Sequence, residues 1–227
     1  MVAVSKALSP ATADYLHIPR SRVTTILNPV IDDTVALDMD EAGLHPWLRD
    51  QQEPVFVAMG RLEHQKGFDV LIHAFERVRE AAACRLVIFG EGTLREALIR
   101  QIDEAGLSEW VTLAGHTDSP LAQMRAAHAF VLSSRFEGFG LVLVEALWAG
   151  TRVISTDCDF GPAELLEGGR YGVLVPPEDA GALAEAMLAS LHAQPAAVPD
   201  SPWFNQFLAT TAADQHVALI EAELARR

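Results

Sequence analysis

Residues 129–156 read AFVLSSRFEGFGLVLVEALWAGTRVIST: an apolar run at 129–134, a turn holding Gly138 and Gly140, an apolar helical segment closing at Gly150, and a second apolar run at 151–156. Two continuous apolar runs joined by a helix are the pattern of parallel strands with a crossover. One residue breaks the helical segment's character. Glu145 stands among Leu, Val, Ala and Trp, eight positions after Glu137 (145 − 137). Burying a lone carboxylate is costly, so Glu145 is expected to reach something polar.

Outward from this unit the same alternation repeats. Upstream lie apolar runs at 55–60, 85–90 and 110–115, separated by helical patterns at 68–81 and 94–106, with a further helix around 121–127. Downstream come a helix at 162–167, a run at 171–175 and a helix from Asp179 to about His192. Continuous apolar strands alternating with amphipathic helices predict an α/β fold, a parallel sheet with helices on both faces. Before it, VAVS (2–5) and VTTIL (23–27) read as short strands around a helical 6–16, and 32–53 reads as a polar, irregular connection. Pro195, Pro199 and Pro202 break the chain before a last helix at 203–227. The organisation expected is 1–53 as lead-in, 54–193 as the α/β unit and 194–227 as a trailing helix.

Composition limits what such a sheet binds. Half of the 227 residues are hydrophobic and 21% are charged, a composition that folds. The formal net charge of −14 disfavours nucleic acid, whose backbone is held through many cationic contacts. It equally disfavours electrostatic docking on anionic lipid. A phosphate-bearing ligand must therefore be held locally, against the global field. No apolar run has transmembrane length, so no transmembrane segment is expected. Cys84 and Cys158 lack any CxxC spacing, and the eight histidines form no ligand cluster, so a reduced, cytoplasmic chain without a metal is expected.

In open parallel sheets ligands bind outside the carboxyl ends of the strands. Five loops lie there. GRLEHQKGF (60–68) sets Arg61 and Lys66 between Gly60 and Gly67, which suits a diphosphate, although exposed cations are also ordinary surface residues. FGEGTLREAL (89–98) has GxG after a strand, but Arg95 stands where a dinucleotide fingerprint needs its third glycine. A tight turn serving packing is the reading there. AGHTDS (114–119) offers His116 as a cleft-lining or merely loop histidine. SSRFEGFGLVLVE (133–145) places the amides of Phe139, Gly140 and Leu141 at a helix start, an anion site. There Glu145 suits a diol such as a ribose and Glu137 a sugar; capping, a buried ion pair and general acid–base chemistry remain alternatives. In TDCDFGPAE (156–164), Glu164 is expected to serve only its helix dipole.

Taken in order, GRLxxxKG, the GxG loop, SxxEGFGLVLxEAxxxG, DxxxGPxE and GVLVPPED resemble family 4 (group 1) glycosyltransferases, strongly from about Pro54 to Leu191. The resemblance implies a retaining enzyme of GT-B fold, of which this chain is the C-terminal, Rossmann-like donor half. Carried onto this chain, it implies that Arg61 and Lys66 neutralise the donor diphosphate and that Glu145 holds the ribose hydroxyls. It implies that Glu137, with the Phe139–Gly140–Leu141 amides, positions sugar and phosphate, and that Gly60, Gly115 and His116 complete the donor site, the last two near the base. Such enzymes commonly need no metal or other cofactor. The expected partners are a nucleoside-diphosphate sugar and a glycan or lipid-linked acceptor; the expected place is the cytoplasm, peripheral to the inner membrane in the intact enzyme. VAVSKAL and VTTILNPVID resemble the crossover from a first domain that is expected to be absent, making the chain a fragment, a truncated reading frame or one subunit of a split enzyme. An inactive nucleotide-sugar-binding or regulatory module is the alternative, and a phosphorylase or epimerase a lesser one.

Overall fold

A computed structural model describes residues 1–31, 43–194 and 199–225. The lead-in begins with β1 (Val2–Ala3), α1 (Leu8–Tyr15) and β2 (Thr24–Thr25), and the two short strands pair in parallel. The connection expected to be irregular contains a helix, α2 (Pro46–Asp50); its residues 32–42 lie outside the described residues. His45 caps α2 by accepting the Trp47 amide, and Pro46 at the first helical position needs no amide partner. Leu48 is fully buried beneath it.

The α/β unit follows as β3 (Val55–Met59), α3 (Phe68–Ala81), β4 (Arg85–Phe89), α4 (Arg95–Glu104), β5 (Val111–Gly115), α5 (Pro120–Ala126), β6 (Ala129–Leu132), α6 (Leu141–Trp148), β7 (Val153–Thr156), α7 (Pro162–Leu165), β8 (Val173–Val175) and α8 (Ala180–Ser190). Every pairing in its six-stranded sheet is parallel, in the order β5-β4-β3-β6-β7-β8. This is the Rossmann-like, doubly wound order. Burial tracks position in the sheet. All five residues of central β3 are buried, edge strand β5 alternates, and Val173 of the other edge is 45% exposed.

Alternate β3 side chains point to opposite faces, so Phe56 and Val57 enter separate apolar layers. Phe56 packs with Leu71, Ile72, Phe75 and Val78 of α3, the i, i+3, i+4 stripe that its sequence pattern predicts. Val57 packs with Phe130, Leu143 and Leu147. The expected trailing helix is two: α9 (Ser201–Phe204) and α10 (Ala209–Leu224), with a single 3₁₀ turn between. Phe204 and Phe207 are buried in the same layer as Val57, as are Ile31 and Leu48. Segments on both sides of the α/β unit thus share its core. Beyond Ala212, α10 leaves the body, and Val217, Ile220 and Leu224 are more than half exposed. Among the described residues no helix is long and apolar enough to cross a membrane.

Candidate functional site

Strands β3 and β6 are neighbours, and the chain winds away from them in opposite directions, so the loops after them diverge. This switch point opens a cleft of about 760 Å³. Loops predicted separately from sequence meet in it: Gly60, Arg61 and Lys66 after β3, His116 after β5, and Glu137, Phe139, Gly140, Leu141 and Glu145 after β6.

The GxG loop at 90–92 is a packing device. A Cβ on Gly90 would lie 1.9 Å from the Gly60 carbonyl oxygen, and one on Gly92 2.5 Å from that of Leu62. The approach lets Leu62 N–H donate to Glu91 O (2.9 Å) and Leu94 N–H to Leu62 O (2.9 Å). Gly90 N–H also donates to the Gly115 carbonyl at 2.8 Å. Gly115 itself sits at φ 77°, in the left-handed region that favours glycine. The tight-turn reading is the right one, and its effect is to hold the Arg61 loop in place.

A 3₁₀ turn at His64–Lys66 carries the lysine. Its aliphatic stem crosses Gly60, where a Cβ would meet it at 3.1 Å. Lys66 Nζ donates to Glu137 Oε1 at 2.6 Å, with the side chains only 15% and 7% exposed. Ser134 Oγ donates to the same oxygen at 2.6 Å. The ion-pair alternative for Glu137 is therefore realised, and both groups still line the cleft. Arg61 is exposed at the same wall, and among the described residues its guanidinium makes no hydrogen bond or ion pair, although its carbonyl accepts the Glu63 amide at 2.7 Å. Its field helps hold Glu63 below the usual carboxylate range, chiefly an effect of hydrogen bonds from Thr93.

Helix α6 begins at Gly140, which adopts φ 84°, and no side chain caps it. Phe139, Gly140 and Leu141 line the cleft, and among the described residues their amides have no acceptor, with the partial positive charge of a helix start behind them. Phe139 contributes only backbone to the cleft; its ring is buried against Phe207 at 6.1 Å between centroids. Gly161 packs beneath this turn, where a Cβ would come within 1.9 Å of the Phe139 carbonyl oxygen.

Glu145 meets the expectation of a polar partner in an unexpected way. No donor among the described residues reaches its carboxylate, which borders the cleft one turn inside α6. Burial pushes its pKa up from the usual value, with no compensating donor or cation. Among the described residues, then, the carboxylate is left open toward the cleft. His116 stands at the cleft mouth with its side chain 83% exposed, 3.5 Å from Asp118.

Sequence reasoning missed several residues of the site. Val4 and Asn28 form one wall, although they are remote in the chain and carry no motif signal. Glu164 does more than serve its own helix: its two oxygens accept the amides of Lys6 (3.1 Å) and Ala7 (3.2 Å) ahead of α1. Cys84 and Cys158 are free and buried, and burial pushes each thiol up to about 11. Among the described residues no cluster of three or more His, Cys, Asp or Glu is placed to hold a metal ion.

A parallel switch-point cleft joining cations, a helix start and a carboxylate without a partner among the described residues is the layout of an open α/β domain with a ligand cleft. Residues 44–198 match the family described as glycosyl transferases group 1, and the chain belongs to that family. It is 36% identical over 137 residues to a glycosyltransferase of Methanocaldococcus jannaschii, covering 54% of this chain and 34% of the relative. It is 32% identical over 141 residues to an N-acetylgalactosaminyltransferase of Campylobacter jejuni that acts on a diphospho-undecaprenol-linked sugar, covering 62% and 38%. The chain thus spans little more than a third of these curated relatives. Among solved structures, HepE of Anabaena in complex with UDP and glucose superposes with a TM-score of 0.82 at 22% identity, covering 97% of this chain and 62% of HepE. The galactosyltransferase WaaB superposes at 0.74 with 24% identity, covering 98% and 61%. The fold is that of the Rossmann-like domain of GT-B glycosyltransferases.

Proposed function

We propose that the chain is the donor half of a glycosyltransferase: it binds a nucleoside-diphosphate sugar, and the whole protein transfers that sugar, with retention, to a glycan or lipid-linked acceptor. The observation that carries this reading is Glu145, a carboxylate at the cleft with raised pKa and no protein partner, just inside an uncapped helix start. A ribose diol supplies the two hydroxyl donors it lacks, while the diphosphate takes the helix-start amides.

Transfer breaks the bond between the anomeric carbon and the diphosphate oxygen and leaves the electron pair on that oxygen, while the acceptor hydroxyl oxygen bonds to the anomeric carbon and its proton passes to the departing diphosphate. Arg61, Lys66 and the amides of Phe139, Gly140 and Leu141 stabilise the developing charge, and their fixed positions make them effective. Arg offers a fork to two phosphate oxygens and Lys a point charge, so two protein cations neutralise the diphosphate without calling on a metal. Because Glu137 Oε1 already accepts from Lys66 and Ser134, its other oxygen is the one left for a donor-sugar hydroxyl. His116 borders the cleft at the end read as that of the base, while Gly115, just before it, lies outside the lining. Residues 1–53 and 194–227 serve as the crossing segments toward a domain that supplies the acceptor. The presence of UDP and glucose in the HepE complex, and the lipid-linked substrate in the Campylobacter enzyme's name, support these assignments.

The test is titration calorimetry of this chain with UDP, GDP and ADP, alongside Arg61→Ala and Glu145→Ala. Each variant is expected to bind at least about tenfold more weakly, the loss of one charge-assisted hydrogen bond. Equal binding by either variant removes that residue from the site.

A further inference from the structure

Arg135 is absent from the donor contacts proposed above, yet it makes the densest set of polar contacts beside them. Its side chain is 13% exposed and faces two carboxylates. Nη1 and Nη2 grip Asp69 bidentately (2.9 and 2.7 Å), and Nε donates to Glu178 at 2.6 Å. Nη1 also donates to the His64 carbonyl at 2.8 Å, and the Arg135 amide donates to the Gln65 carbonyl at 2.8 Å. Ser133 Oγ donates to the Lys66 carbonyl, again at 2.8 Å. Three successive carbonyls of the turn that carries Lys66 are thus held by one short stretch after β6.

We propose that Arg135 is a positioning residue for the donor diphosphate: by pinning the 64–66 turn to the start of the Glu137 loop, it sets where the Lys66 ammonium stands. The proposal rests on the donor-site reading above and adds a residue to it. Four features favour this over a general fold-stabilising role. Lys66 must project from a turn, not a helix or strand, so its own element does not fix it. The turn's closeness to β6 is extreme: a Cβ on Gly67 would lie 2.2 Å from the Ser133 carbonyl oxygen. Gln65 Nε2 reciprocates by donating to the Phe136 carbonyl at 3.0 Å, so the turn and the Glu137 loop hold each other from both sides. Glu178, the third anchor, keeps a left-handed backbone at φ 61°, unusual for a residue with a side chain, while its carboxylate reaches Arg135. Lysine does not replace the guanidinium here. Three nitrogens in one plane serve Asp69, Glu178 and His64 O at once, and an ammonium on a flexible stem has no such fork.

The experiment is a double-variant cycle on this chain, using whichever of UDP, GDP and ADP binds best, with affinity read by calorimetry. Arg135→Lys retains the charge and loses the fork; Lys66→Gln removes the ammonium and leaves an amide for Glu137. Arg135→Lys is expected to weaken binding about tenfold on its own and less than about twofold in the Lys66→Gln background, a coupling within the usual range for neighbouring groups. A merely structural role lowers the melting temperature without this coupling. Additive losses, or a Lys variant that binds like the parent, overturn the positioning role and leave the donor site standing. Failure of Lys66→Gln to weaken binding overturns the donor-site reading and the proposal together. Should Arg135→Lys not fold, Asp69→Asn, which loosens the same fork from the exposed side, carries the same cycle with the same expectation.

Discussion

Glu145→Gln separates stability from binding at a single atom. The carboxylate is partly buried at the cleft, has no donor among the described residues, and has its pKa raised by burial. A carboxyl with a raised folded-state pKa keeps its proton in the native state at pH values where the unfolded chain, near the ordinary value of 4.5, has released it. Stability is therefore highest with the group protonated and falls as pH rises through the folded pKa. At pH 7 the native state carries this cost, and glutamine removes it. A fully buried, unsatisfied polar group costs about 1–3 kcal/mol; Glu145 is only partly buried, so the gain from glutamine is placed at no more than about 1 kcal/mol. For a chain of this length that is a rise of no more than about 2–4 °C in melting temperature. Binding moves the other way. A charged acceptor contributes about 1.5–3 kcal/mol per hydrogen bond and a neutral one about 0.5–1.5, so the nucleotide is held about tenfold more weakly. The assay is thermal unfolding between pH 4 and 8, with calorimetric titration of the nucleotide at pH 7. The variant's advantage should be present at pH 7 and shrink as the pH falls toward the ordinary carboxylate range. A variant less stable than the parent at pH 7 refutes the unpartnered state of Glu145; unchanged affinity refutes its role as ligand acceptor.

Other perturbations probe neighbouring parts of the site. Lys66→Met strands the nearly buried Glu137 and is expected to cost about 3 kcal/mol in urea unfolding. Adding Glu137→Gln should recover most of that loss, and no recovery contradicts the pairing. Gly92→Ala places a methyl 2.5 Å from a backbone oxygen that cannot retreat without moving the Arg61 loop. It should destabilise by about 1–3 kcal/mol and weaken nucleotide binding as well; a variant as stable as the parent rules out the contact. Glu164→Gln loses the charge from two bonds to the Lys6 and Ala7 amides, so hydrogen exchange of those amides should speed up while amides of β3 stay unchanged. Unaltered exchange at residues 6 and 7 removes Glu164 as the tie to α1.

The fold was legible because the apolar periodicity of a covered parallel sheet is written locally. Each strand from β3 to β7 falls within the apolar run that predicts it, because burial on both faces demands continuous Val, Ile, Leu and Phe. Boundaries were less legible. Ser133 and Ser134 continue an apolar run in sequence, yet β6 ends at Leu132 because its next residues turn their polar groups onto Lys66 and Glu137. Helix α2 was hidden in a polar stretch: Leu48 and, partly, the adjacent Trp47 secure it in the core, and two neighbouring apolar positions make no helical period. The last helix read as continuous because nothing local marks the 3₁₀ turn at Asn205–Phe207, which the buried aromatic cluster of Trp203, Phe204 and Phe207 imposes.

The candidate site divides along the same line. Residue types and their order by themselves pointed to the loops of the α/β unit that enter the cleft, though not to Val4 and Asn28 of the lead-in, since glycine at close approaches, cations beside them and a carboxylate in an apolar helix are each visible along the chain. The pairing of those residues was not. Lys66 and Glu137 are 71 positions apart, as are Gln65 and Phe136, and Glu164 reaches back 158 positions to Lys6. Such contacts depend on the strand order that makes β3 and β6 neighbours, and a hydrogen bond between loops leaves no local trace in sequence. Only the tertiary structure decided that Glu137 is held by a cation while Glu145 is held by nothing among the described residues, because the cation that reaches Glu137 comes from an element far away in the chain.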